Sequence, residues 1–196
     1  MVFYTEMGGR SKIKFSKDSI TYNEGILSNV SSNNTILGST DTAPLSSMTT
    51  MEEHWTFKIN NFINNGSCAS GAWLGDTTIS RNYYVAVSVS IYTNTINLYY
   101  GNPLIRDINN VPYIDGITTI DKKYTTSGCE VSVHYGNVEV LRKVIPKSSL
   151  YLIDRKFNLG ATGFLDEGYA LRGYIDLNKS YILINGNLFF GTYPIR

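Results

Sequence analysis

The chain has 196 residues, 42% of them hydrophobic, enough for one large or two small domains with a buried core, so wholesale disorder is excluded. Charged residues make up 17% and the formal net charge is +1, whereas an average soluble protein is roughly 25% charged. The longest basic run is Lys122-Lys123, so there is no concentrated cationic face of the kind that nucleic-acid binding needs to neutralise phosphates.

The opening residues, MVFYTEMGGR, lack the basic-then-apolar pattern of an export signal. No stretch approaches the ~20 apolar residues of a membrane span. The expectation is a protein made in a cytosol, with no secretion signal and no membrane insertion. Cys68 and Cys129 are too few for a disulfide framework and read as buried thiols.

Residues 1–27 form a short β-rich segment, with a strand near residues 12–15 and a turn over residues 23–25 of ITYNEGILSN. A piece of this size does not fold alone and must lie on the body, a neighbouring subunit or a partner. Residues 28–50, SNVSSNNTILGSTDTAPLSSMTT, are dominated by Ser, Asn and Thr and read as a linker or extended arm. The main antiparallel β domain is expected over residues 51–196. Short helices are expected around residues 50–55 and near Asn61, with a strand over residues 55–60.

The clearest strand is YYVAVSVSIY. Val85, Val87, Val89 and Ile91 share one face; Ala86, Ser88, Ser90 and Tyr92 share the other, toward water or a thin second layer. Thr93-Asn94 then leads into TINLYY as an antiparallel partner. Tight turns are expected at Asp115-Gly116, Gly136-Asn137 and Asn185-Gly186, because type I′ and II′ turns need the positive φ that Gly and Asn tolerate. Further strands are expected over residues 150–154 and 169–177. These signals define an all-β protein: an antiparallel β-sandwich or barrel-like body with a short β-rich N-terminal arm.

Chemistry is sparse. His54 and His134 lie in none of the spacings that gather metal ligands, and no GxSxG elbow or Gly-rich phosphate loop occurs. Cys68 sits in a small-residue loop with no evident base. Asp107, Asp115, Asp154, Asp166, Glu167 and Asp176 are scattered, leaving a carboxylate-pair glycosidase as a weak third reading. No catalytic residue, metal or cofactor is assigned, and the chain reads as a non-enzyme. The remaining candidates for contact with a ligand or partner are the aromatics Trp73, Trp55, Tyr84 and Tyr100. Aromatic faces beside Asn and Asp side chains suit sugars. Trp73, in the Gly-rich stretch SGAWLGD, is the least explained as core.

The final stretch, YILINGNLFFGTYPIR, raises a different question. An apolar terminal strand left exposed is a template for unwanted pairing. It must therefore close the chain's own sheet or lie in a subunit interface, with Leu188, Phe189, Phe190 and Tyr193 as the interface candidates. In its β-rich, Asn/Ser/Thr/Tyr/Gly-heavy, weakly charged character, with no export signal and an extended arm between β segments, the chain resembles the structural proteins of bacteriophage virions, especially tail, baseplate and fibre components. That resemblance implies a virion part assembled in the host cytoplasm as a homo-oligomer, a trimer by analogy with phage appendages. It implies contacts with other virion proteins and a contribution to host-surface recognition. The alternative is a monomeric lectin-like module that binds a surface glycan.

Overall fold

The computed structural model describes residues 14–15, 20–23, 26–31, 35–63, 72–76, 83–90, 93–163 and 170–194. Its strands are β1 (Lys14–Phe15), β2 (Ile20–Asn23), β3 (Ile26–Ser31), β4 (Thr35–Ala43), β5 (Met51–Ile63), β6 (Ala72–Asp76), β7 (Tyr83–Ser90) and β8 (Thr95–Gly101). They continue with β9 (Ile105–Asn110), β10 (Ile117–Thr125), β11 (Gly128–Tyr135), β12 (Val138–Pro146), β13 (Arg155–Gly163), β14 (Ala170–Asp176), β15 (Tyr181–Ile184) and β16 (Asn187–Gly191). One sheet runs β1-β4-β13-β6-β7-β8-β9. The other runs β12-β11-β10-β5-β14-β3-β2, with the β15–β16 hairpin attached to β5. The all-β, antiparallel, sandwich-like class expected from the alternation is the class observed.

The core lies between the two sheets, where alternate positions face inward. β5 contributes Met51, Trp55 and Phe57; β10 contributes Ile120 and Tyr124; β11 contributes Cys129, Val131 and Val133. Val85, Val87, Val89, Ile96 and Leu98 meet them from the first sheet. Tyr84 packs edge-on against Tyr124 with centroids 6.2 Å apart, and Trp55 stacks on Phe190 at 5.4 Å. Two lysines tie the layers together. Lys122 Nζ donates to the Val85 carbonyl at 2.7 Å, and Lys143 Nζ donates to Asp107 Oδ2 at 2.6 Å. Lys122 stands in the inward row Thr118, Ile120, Lys122, Tyr124, where an apolar residue would ordinarily sit.

Several expectations are corrected. Residues 28–50 carry the end of β3, all of β4 and a short 3-10 turn, Leu45–Ser47, and are not a linker. β4 pairs with β13, and β3 pairs with β14, so this segment is stitched into both sheets. Backbone ladder bonds tolerate a Ser/Thr/Asn-rich sequence that composition alone assigns to a loop. β2 pairs with β3, which places that part of the N-terminal segment on the chain's own body. Residues 51–55 and Asn61 belong to the long strand β5, and Thr50 just precedes it, so no helix forms there. Residues 150–154 are irregular, the strand beginning at Arg155.

Asp115-Gly116 is a bend on the connection from β9 in one sheet to β10 in the other, and not a hairpin turn. The turns at Gly136-Asn137 and Asn185-Gly186 do join paired strands. Asn94 has φ 51° in the turn before β8. On β7 the second face is covered: Ala86, Ser88 and Ser90 are as buried as the valines.

Candidate functional site

The outer face of the second sheet carries a concave surface made of adjoining hollows. Its floor is set by β5, whose inward Met51, Glu53, Trp55 and Phe57 leave Glu52, His54, Thr56 and Lys58 pointing outward. β10 flanks it on one side, with Thr119 opposite Thr56 and Asp121 opposite His54. β15 flanks it on the other, with Tyr181 opposite His54. Across this row, His54 Nδ1 lies 2.6 Å from Asp121 Oδ1 and Nε2 lies 3.0 Å from Thr56 Oγ1. The imidazole stacks on the Tyr181 ring with centroids 5.5 Å apart and planes inclined by 20°. The ring is thus fixed from three directions.

Beyond Gly191 the chain leaves β16, and residues 192–194 lie against this face. On one side of them is a hollow of about 490 Å³, lined by His54, Thr119, Asn178, Tyr181 and Tyr193 among others. On the other side is a second of about 500 Å³, lined by Glu52, Lys123, Thr125, Leu183 and Tyr193 among others. Tyr193 borders both. It is 58% exposed, and its hydroxyl accepts a hydrogen bond from the Leu188 amide at 3.2 Å. Aromatic faces, hydroxyls, a carboxamide and a buttressed imidazole therefore share one open surface. Such a surface suits an amphipathic, hydroxyl-rich ligand. Among the described residues no group of His, Cys, Asp and Glu is arranged to hold a metal ion.

The residues singled out from sequence are distributed differently. Trp55 and Tyr84 are 1% and 3% exposed and belong to the core, so neither can offer a face to a ligand. Tyr100 is half-buried against the core. Trp73 lies in β6, paired with Ser90 of β7 and Thr162 of β13. Phe190 is buried against Trp55 in the chain's own core, which removes it from any surface; Leu188 and Phe189 are half-buried. The side chain of Trp73 lies outside the described residues; of the others, Tyr193 alone is open to solvent.

The sequence reading missed Tyr181 and gave His54 little weight. Reading residues 50–55 as helical hid the strand alternation that turns His54 outward. Cys129 is buried, and its burial raises the thiol pKa to about 11. Cys68, Asp166 and Glu167 fall outside the described residues.

No protein-family model and no curated protein matches the chain by sequence. Solved structures do match in fold. A functionally unknown protein from Saccharomyces cerevisiae has a TM-score of 0.58 at 7% identity, covering 89% of this chain and 96% of its own. The CBM2 module of the evolved Dit of Lactobacillus casei BL23 phage J-1 has a TM-score of 0.52 at 11% identity, covering 93% and 83%. A structure of botulinum neurotoxin type C, described with cell entry dependent on two ganglioside molecules, has a TM-score of 0.56 at 8% identity. This chain spans 42% of that one. At such identities the likeness is one of fold.

Proposed function

We propose that this chain is a carbohydrate-recognition domain and that the surface around His54, Tyr181 and Tyr193 is where the sugar binds. The observation that carries the reading is the exposed Tyr193 ring beside the His54–Tyr181 stack, within reach of Thr119, Asn178 and Asp121. Rings take the apolar faces of a sugar, and the polar groups take its hydroxyls. The role we assign is binding rather than cleavage: the Asp121 carboxylate is engaged by His54, and its cross-strand neighbours are His54 and Ser132. The fold likeness to a phage CBM2 module and to a ganglioside-dependent toxin is compatible with it. The test is a glycan array probed with the purified protein and with Tyr181→Ala. Selective binding that the variant loses supports the reading; silence across the array ends it.

A second reading concerns where the domain works. The near full-length likeness to a module of a phage Dit protein favours a place in a bacteriophage particle, in the tail, baseplate or fibre region, with host-surface recognition as the task. In that setting the chain is a homo-oligomer, a trimer by analogy with phage appendages. Light scattering on a sizing column measures this directly. A stable multiple of 21.9 kDa is the expected result, and a clean monomer would leave the recognition domain standing without the assembly.

A further inference from the structure

We infer that the ligand is an uncharged oligosaccharide of at least three sugar units lying along β5 and β10, not a single terminal sugar; this rests on the carbohydrate-recognition reading. The two hollows beside Tyr193 are not isolated. A third, of about 170 Å³, lies on the same face and shares Tyr181 with the first and Glu52 and Lys123 with the second. The three therefore adjoin one another on the sheet. Thr119 lines the first, Asp121 the middle and Thr125 the last, all on one face of one strand. Six residue steps at the rise of a strand put Thr119 and Thr125, one wall of each end hollow, roughly 20 Å apart. A monosaccharide cannot reach both ends, whereas a chain with one sugar in each hollow can. Tyr193, bordering both ends and held through its hydroxyl, is the platform over which such a chain passes.

The charges along this path select against an acidic glycan. Lys123 has Glu52 directly opposite on β5 and Glu130 directly opposite on β11. Lys179 lies 3.4 Å from Asp176, and His54 faces Asp121. Each lysine whose side chain points into the three hollows, Lys123 and Lys179, already has a carboxylate neighbour, and Lys58, on the same face, lines none of them, so a sialic acid or uronic acid in the path would meet no uncompensated positive charge. Hydroxyls and ring faces are what the path can satisfy.

The experiment is a binding series with the full chain against immobilised neutral oligosaccharides of one to six hexoses and sialylated or uronate-bearing counterparts of the same lengths. Affinity should rise about tenfold or more from one unit to three, the gain of an added aromatic contact, and then level off. Acidic chains should bind no better. Equal affinity for one and three units, or tighter binding of the acidic set, overturns the inference and leaves the recognition reading intact. Absence of binding at every length removes that reading itself. Thr119→Trp and Thr125→Trp, each filling one end hollow, should reduce a trisaccharide to the affinity of a shorter chain while melting at the wild-type temperature. If both folded variants bind the trisaccharide as tightly as the parent, the path is wrong.

Discussion

Lys122 Nζ lies 3.0 Å from Glu53 Oε1, and both side chains are completely shielded from solvent. The two residues are cross-strand partners on β10 and β5, and the same carboxylate oxygen accepts from Trp55 Nε1. Glu53 Oε2 has no hydrogen-bond partner among the described residues. Breaking such a pair strands a charge in the core, whereas replacing both partners removes two desolvation costs at once. Lys122→Met alone should destabilise the fold by about 3–5 kcal/mol. The double variant Lys122→Met with Glu53→Leu should recover most of that loss. Urea midpoints for the two singles and the double decide it; additive losses would show that the ions do not act as a unit.

The turn of the last hairpin holds more than itself. Asn185 Oδ1 accepts from the Thr49 amide at 2.8 Å, the Thr49 hydroxyl at 2.9 Å and the Thr50 amide at 3.2 Å. Asn185→Ala should cost about 1–3 kcal/mol, combining lost hydrogen bonds with the strain of alanine at positive φ. Asn185→Asp keeps the acceptor and should cost less. Equal melting temperatures for the two variants would mean that the side-chain oxygen contributes nothing.

Gly191 and Gly186 separate backbone strain from collision. Gly191 has φ +80°, and an added Cβ would sit 2.0 Å from the Ser180 carbonyl oxygen. Gly186 has φ +75° with nothing within 4 Å of that position. Gly186→Ala should cost about 1–2 kcal/mol, the left-handed penalty alone. Gly191→Ala adds a backbone clash and should be several-fold worse. Thermal melts of the pair give the comparison directly.

Alkali should unfold this protein. Burial raises the Cys129 thiol to about 11 and Tyr113 to about 12, and pushes Tyr84 and Tyr135 upward as well. In the unfolded chain these groups ionise near about 8.5 and about 10. Their folded pKa values are raised, so their contribution is fully present below the unfolded values and is lost as pH rises through the folded ones. The urea midpoint should be flat to about pH 8.5 and fall steadily toward pH 12. A midpoint unchanged across that span would contradict the buried placement of these groups.

Much of the architecture was legible because period two is a strong signal where one face is buried. Val85, Val87 and Val89 declared β7, and Asn185-Gly186 declared the last hairpin. β5 was misread because Glu52, Glu53 and His54 in succession look helical and charged. In the folded chain Glu53 turns inward to Lys122, and its neighbours turn outward. Local composition cannot show that two charges 69 positions apart cancel in a core. The 28–50 segment failed for a related reason: its strands draw their stability from backbone pairing with β13 and β14, far along the chain. The candidate surface was hidden because it is assembled from β5, β10 and β15; of its residues His54 was weighed only for a catalytic or metal-ligand role, and Tyr193 was named only as an interface residue.

The pairing of β15 with the first residues of β5 has a consequence for how the protein is made. Thr49 and Asn185 are 136 positions apart, yet the start of the central strand obtains its second neighbour only from that distant hairpin. During synthesis Met51–Ile63 emerges early and must wait, one edge unpaired, until residues 170–191 arrive. Such long-range closure is slow and leaves an apolar edge open to neighbouring nascent chains. Yield on expression should therefore depend on temperature and chaperone supply more steeply than the stability of the finished protein would suggest.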